Sequence, residues 1–490
     1  MRQKSSLKII IGSIGICLLS GLCGCAGENV FTEYAMSIFG SEYDTREQQT
    51  QAEMEEVRQS SETETELQEA KEQADGEALE EAYRLILEEA SEELTGGYPV
   101  DRVFLEWVSS EFGGECILEA AKQSQTFSPD SGVWYRMTEN SIHVLWLLYC
   151  QEMGMRPDLL ENVEWKECAS ADQVTLAFTG DINFSEGYPT TRHMDSCANG
   201  IEDCFSADLL DLMRGMDIMM INNEFTYSTR GEPLPGKTYT FRAKPDRAKL
   251  LHAFGTDIAN LANNHVFDYG PEALLDTIEA LDQEGIPHVG AGANIEDASK
   301  PYYFVCNGRK IAIVSATQIE RSTNYTKEAT EDSPGVLKTL NPDRFVQVIE
   351  GADKKSDCVI AVVHWGTEGN SSYGQDQVKL AQAFVDAGAD AIIGGHTHCL
   401  QGVEIMDGVP IIYSLGNFWF SSNTLDTGLA QVTIDRNGDL ALSFIPCIQE
   451  QFRTRLVTQE AEKERIFAFM QKYSAQGTEL TEDGFVQEED

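Results

Sequence analysis

Basic residues are scarce in this chain: 36 Lys and Arg stand against 81 Asp and Glu, a formal net charge of −45 over 490 residues. That balance excludes a nucleic-acid binder, which needs a basic face to displace counterions. It equally excludes attraction to anionic lipid through protein charge. Long hydrophobic runs are missing too. The longest, Ile9 to Leu22, covers about 14 residues, too short to cross ~30 Å of hydrocarbon comfortably. No Cys-x-x-Cys knuckle occurs among the 12 cysteines, which removes the usual thiolate zinc ribbon. Histidine is rare, 8 in all, so where the histidines fall carries information.

What is present begins with an export signal. Arg2, Lys4 and Lys8 form a positive leader ahead of the short apolar run, as in a secretory signal. The run ends in Leu22-Cys23-Gly24-Cys25, which resembles the bacterial lipobox, with Cys23 at −2 as a departure. The resemblance implies cleavage before Cys25 and a diacylglycerol on its sulfur; a plain secretory signal and an uncleaved N-terminal anchor are the other readings. Two or three acyl chains would hold the protein to the outer face of the membrane far better than one. From Ala26 to Thr95 there are 21 acidic and 4 basic residues, a net of −17, with no proline and no helical stripe before about Ala78. Such a segment cannot bury enough surface to offset its ordering entropy and reads as a largely disordered spacer, partly helical at its C-terminal end, about Ala78–Leu94.

Residues 96–171 read as a small helical subdomain. Val103, Phe104, Trp107 and Val108, then Ile142, Leu145, Trp146 and Tyr149, recur at helical spacing and suit a core. From Gln173 the texture changes to short apolar runs at Val174–Thr179, Asp217–Ile221, Ile258–Leu261, Lys310–Val314, Cys358–Val363, Ala391–Ile393 and Pro410–Tyr413. Helical stretches such as Pro271–Gln283 and Gln375–Ala387 separate them, so an α/β domain with parallel or mixed sheets is predicted. Gly428–Asp435 and Leu440–Pro446 read as a hairpin across Asn437-Gly438, and Gln459–Lys472 as a helix before an acidic tail. Cys306, Cys358 and Cys447 sit in strand-like runs as small buried hydrophobes, whereas Cys197 and Cys204 flank a glycine-containing turn and could pair.

The strand ends hold the chemistry. They read Gly180-Asp181-Ile182-Asn183, Asn222-Asn223-Glu224, Asn263-Asn264-His265 with Asp268, His364-Trp365-Gly366 with Glu368, Gly395-His396-Thr397-His398, and Tyr413-Ser414-Leu415-Gly416-Asn417-Phe418. Four of the eight histidines lie there. Oxygen and imidazole donors together suit Zn, Mn or Fe, and two ions ~3.5–4 Å apart can clamp a phosphoryl group.

The order of these motifs resembles the calcineurin-like metallophosphoesterases, and within them the CapA family of bacterial capsule (poly-γ-glutamate) biosynthesis proteins. The likeness covers about Thr175 to Gly428. Composition and pattern place a signal (1–24), an acidic linker (25–95) and a helical subdomain (96–171) ahead of the CapA-like domain (172–450), and a C-terminal helix with acidic tail (451–490) after it; for the domain itself the resemblance implies a metallophosphoesterase-like α/β/β/α sandwich. It further implies Asp181 and His398 on one metal, Glu224 bridging, and Asn264, His364 and His396 on the second. His265 would act on the leaving-group oxygen, oriented by Asp268, although Asp268 also suits a helix N-cap before Pro271. Asn183, Arg242, Glu368 and Gln401 are the expected substrate contacts, with a surface ion pair as the other reading of Arg242. Asn183 stands where the wider superfamily has His, so one or two divalent ions are expected. The implied partners are a phosphoester or cell-envelope polymer and capsule synthesis or export proteins of the membrane. The site is either hydrolytic or a non-catalytic polymer- or metal-binding one.

Overall fold

A strand buried on both faces needs apolar residues at every position, and Cys358–His364 shows it: all seven residues of CVIAVVH are buried. In the computed structural model, which describes residues 76–88, 100–122, 132–156, 159–321 and 325–489, this strand is central in a seven-stranded sheet. The order is Val163–Lys166, Tyr302–Cys306, Arg309–Thr317, Cys358–His364, Ala391–Gly395, Val409–Ile412, Val403–Met406. A second sheet runs Arg453–Leu456, Leu440–Glu450, Leu425–Asp435, Gln173–Ile182, Ile218–Asn223, Ile258–Asn260, His288–Val289, with Asn417–Trp419 also on Gln173–Ile182.

Side chains alternate across each strand, and the alternation sorts them into layers. Val174, Leu176 and Phe178, with Ile218 and Met220, pack against Cys358, Ile360 and Val362, so the two sheets face each other. The opposite face of the second sheet, Met219 and Ile221 included, meets Leu209, Met213, Leu251 and Leu281 of its covering helices. Val359, Ala361 and Val363 meet Phe345, Ile349 and Phe384 of Asp343–Asp353 and Gln375–Asp386. The result is a mixed α/β fold of four layers: helix, sheet, sheet, helix. Parallel pairing aligns the carboxyl ends of Gln173–Ile182, Ile218–Asn223 and Ile258–Asn260 in one sheet and of Cys358–His364 and Ala391–Gly395 in the other. Those ends are where α/β sheets bind ligands.

Three boundaries differ from the sequence reading. Residues 76–88 are helical, as expected for the end of the acidic segment, but Ala82, Tyr83 and Ile86 are buried with Phe104, Trp134 and Trp146, so the helical unit begins before residue 96. That unit also ends in a strand, Val163–Lys166, paired in parallel with Tyr302–Cys306. The acidic tail is not a tail: after the helix Glu460–Lys472, strands Thr478–Leu480 and Val486–Glu488 place Leu480 and Val486 in the core between the sheets. Net charge hides this because only every second residue of a short strand is apolar. The helical unit is held by Gly308, whose φ of +71° and close approach to the Glu139 carbonyl leave no room for a Cβ. The signal, Cys25 and residues to 75 lie outside the described residues.

Candidate metal centre

Asp181 ends its strand opposite Asn222 and Asn417, and all three side chains turn inward. The two chain segments approach closely because Gly180, within the strand, lies against the Gly416 carbonyl, where a Cβ would collide. Asn222 Nδ2 donates to Asp181 Oδ1 at 2.7 Å, and Asp181 Oδ2 faces His398 Nδ1 at 3.0 Å. His398 Nδ1 also lies 2.8 Å from Asn417 Oδ1. On the other side, His364 Nε2 is 2.8 Å from Asn264 Oδ1, 3.2 Å from His396 Nδ1 and 3.5 Å from Glu224 Oε1. Two donor groups follow: Asp181, Glu224 and His398; and Glu224, His364 and His396, each with ligand atoms within 4.8 Å of one another. Asn264 adds an amide oxygen to the second through its contact with His364. Glu224 belongs to both.

The donors fit a divalent cation. Glu224 is fully buried, and neither carboxylate oxygen has a hydrogen-bond partner among the described residues. An unpartnered buried carboxylate is costly unless a cation satisfies it. His396 and His398 are both held at positive φ, +91° and +56°, a conformation that L-residues adopt at a cost and that here aims both rings at the carboxylates. Burial pushes Glu224 well above the usual carboxylate range, with Asp181 adding to the shift. Asp181 is equally buried, yet His398, His364 and Asn222 outweigh burial and hold it low. Burial drives His364 down to about 3 and His396 well below its ordinary value, leaving both imidazoles neutral and able to ligate. His398 moves the other way, because Asp181 outweighs its burial.

His265 points elsewhere. Its Nδ1 lies 2.7 Å from Asp268 Oδ2, and its ring packs on Phe241 with centroids 4.4 Å apart. Burial lowers its pKa against the pull of Asp268. Asp268 also accepts from the Phe241 N–H at 2.7 Å and pairs with Lys237 at 2.7 Å. The N-cap of Pro271–Gln283 is Gly270, so the capping alternative for Asp268 is excluded.

The four expected substrate contacts separate. Asn183 is buried; its Oδ1 accepts from Ser185 N at 2.8 Å, leaving Nδ2 as an unpartnered donor rather than a metal ligand. Glu368 is exposed and acts on Glu224 and His398 through its charge. Arg242 donates to the Arg230 and Gly231 carbonyls, both at 3.1 Å, and stacks on Tyr269 at 4.0 Å, so it braces a loop; no ion pair to it is seen among the described residues. Gln401 is a correction: its amide accepts from Gln377 and donates to the Asn370 carbonyl, each at 2.9 Å, which occupies both its polar ends. A cleft of about 580 Å³ beside Phe241 is lined by Tyr188, Tyr239, Arg242, Lys244 and Tyr269.

Sequence reasoning assigned no role to Lys237, Asn222 or Asn417. Asn222 and Asn417 stood within the quoted motifs, and their strand-end positions were the signal available. Lys237 lies in a segment without a motif; its side chain is 6% exposed between Asp268 and Glu320.

Over residues 175–422 the chain matches the bacterial capsule synthesis protein family PGA_cap. The capsule biosynthesis protein CapA of Bacillus anthracis is 34% identical over 248 residues, 49% of this chain and 59% of that protein. The PGA biosynthesis protein CapA of Bacillus subtilis is 33% identical over 276 residues, 55% of this chain and 70% of that protein. A probable polyglutamine synthesis accessory protein of Mycobacterium tuberculosis is 33% identical over 210 residues, 41% of this chain and 55% of that protein. The alignments thus span little more than half of two of these relatives and 70% of the third.

Proposed function

The chain belongs to the PGA_cap family of bacterial capsule synthesis proteins, and from that premise we propose that it serves the making of a poly-γ-glutamate-type cell-envelope polymer. It does so outside the cell, held to the outer face of the membrane through Cys25, beside the membrane proteins that synthesise or export the polymer. Its centre holds one or two divalent ions, Mn, Zn or Fe, and hydrolyses a phosphoester or a linkage of the polymer. The observation that carries this reading is Glu224, buried, unpartnered and shared by two donor groups.

Asp181, Glu224 and His398 would hold one ion and Glu224, Asn264, His364 and His396 the other. A divalent ion there supplies Lewis acidity and raises the acidity of water. The chain does the rest. Asp268 takes the Nδ1 proton of His265 as a hydrogen bond, which fixes the tautomer and turns Nε2 toward substrate. His265 then holds or moves a proton at Nε2 for the leaving-group oxygen. Phe241 keeps water from the far face of that ring.

Asn183 favours a second reading. Without an imidazole at that position, the first ion has only Asp181, Glu224 and His398, and a weakly held ion suits a centre that binds polymer without turning it over. Purified protein assayed for metal and against a panel of phosphoesters and γ-glutamyl polymers distinguishes the two. If substituting Asn264 and His396 together abolishes hydrolysis, the hydrolase reading stands. Loss of polymer export with no measurable hydrolysis in the unsubstituted protein favours the accessory.

A further inference from the structure

A second set of metal-type donors lies apart from the carboxylate–imidazole cluster, on the helical layer over the eight-stranded sheet. The helix Pro189–Ser196 carries His193, and Cys197 follows as its C-cap four residues on. The chain then reverses through Gly200 at φ +59° into the short 3-10 helix Gly200–Cys204, which returns Cys204 to the same spot. We propose that His193, Cys197 and Cys204 form a sulfur-rich site for a borderline-soft divalent cation, of which Zn2+ is the type.

The distances support it. The three donor atoms lie within 4.8 Å of one another, and Cys197 Sγ is 3.6 Å from His193 Nε2. Zn–S near 2.3 Å and Zn–N near 2.0–2.1 Å in a tetrahedron put sulfur and nitrogen ligands roughly 3.5 Å apart. The imidazole is fixed by stacking on Phe452, centroids 5.2 Å apart and planes at 24°. Cys204 is fully buried while His193 and Cys197 are half-buried, so an ion enters from the solvent side and a water completes its shell. Two thiolates and a neutral imidazole around a 2+ ion leave no net charge. Binding releases two thiol protons to solvent and moves no electrons. Burial and the neighbouring Cys197 push the Cys204 thiol up to about 12, so without a cation it stays protonated and unreactive.

Such an ion would tie down the wall of the cleft. Tyr188, the N-cap of the same helix, packs edge-on against Phe241 at 5.4 Å, and Phe241 packs on His265.

Titration of the reduced, full-length protein with Co2+ tests this. The main centre has no sulfur donor, so a thiolate-to-cobalt charge-transfer band in the near ultraviolet reads this site. The band is expected in the unsubstituted protein and in Glu224→Gln, and absent from Cys197→Ser and Cys204→Ser. Zn2+ should displace it, and Cys197→Ser should lose about one Zn2+ per chain. Circular dichroism checks folding, and His193→Gln, at a half-exposed ring, offers a milder variant expected to weaken Co2+ binding at least tenfold. No band in folded protein overturns the proposal, as does a band that survives both cysteine substitutions. A Cys197–Cys204 disulfide in protein isolated without reductant, found by peptide mass analysis, also overturns it.

Discussion

Asn264 and His364 stand 100 residues apart in the chain and meet at 2.8 Å, amide oxygen to Nε2, across the two facing sheets. Removing the amide takes a ligand from one donor group and leaves the other intact. Asn264→Ala is therefore expected to lower bound metal by elemental analysis while circular dichroism stays unchanged. Metal content equal to that of the unsubstituted protein would remove Asn264 from the ligand set.

His265 sits next to Asn264 in sequence but bonds to Asp268, away from His364. His265→Ala should retain metal and slow any hydrolysis about 10²–10⁴-fold. Asp268→Asn should slow it about 10–100-fold. Loss of metal in His265→Ala would show that the ring ligates instead.

Buried Glu224 sets a pH-dependence that can be read in metal-free protein. Its folded pKa is raised, so its contribution to stability is present below the unfolded value of about 4.3 and is lost as pH rises through the folded one. Glu224→Gln should therefore be more stable than the unsubstituted protein near neutral pH in chelator, by about 1–4 kcal/mol, and the gap should close toward pH 4. Added Zn2+ or Mn2+ should raise the melting temperature of the unsubstituted protein more than that of the variant. A variant less stable at neutral pH would mean that the carboxylate is satisfied within the protein.

Three of the imidazoles, His398 excepted, give the opposite slope. His364, lowered to about 3, contributes stability that is full above its unfolded value near 6.5 and is lost as pH falls toward 3. His396 and His265 shift in the same direction. In Glu224→Gln without metal, the urea midpoint should fall steadily below about pH 6.5. A flat profile there would contradict the neutral, buried state of these rings.

Gly308 has a positive φ and no space for a methyl group beside the Glu139 carbonyl. Gly308→Ala should cost more than ~1 kcal/mol and loosen the helical unit, seen as faster proteolysis between residues 100 and 156. At the other end, Cys25→Ala should leave precursor without an acyl-modified N-terminal peptide in mass spectrometry; an acylated variant would rule out Cys25 as the lipid site.

The strand ends were legible because each apolar run stops at a cluster of Gly, Asn, Asp or His, which identifies a strand and its ligand-bearing terminus together. Pro271–Gln283 was read to the residue, because proline at its first position and an amphipathic stripe mark both its start and its face. Gln401 misled because a polar residue in a motif looks free until its partners, Gln377 and Asn370, are seen. Lys237 escaped because its significance comes from partners far along the chain: the Asn264 carbonyl, Asp268 and Glu320, 27, 31 and 83 positions further on. Thr478–Leu480 and Val486–Glu488 are three residues each, below the length at which alternation stands out.

The segment shared with the family stops at 422, yet the strand bearing Asp181 is paired along its length with Leu425–Asp435, from Leu429 against Thr179 to Asp435 against Gln173. Cutting the gene at the boundary of the shared segment would strip this neighbour away. The backbone donors and acceptors along one side of residues 173–179 would then be bare, an open invitation to self-association. A soluble recombinant fragment must run past Leu456 to restore the missing flank.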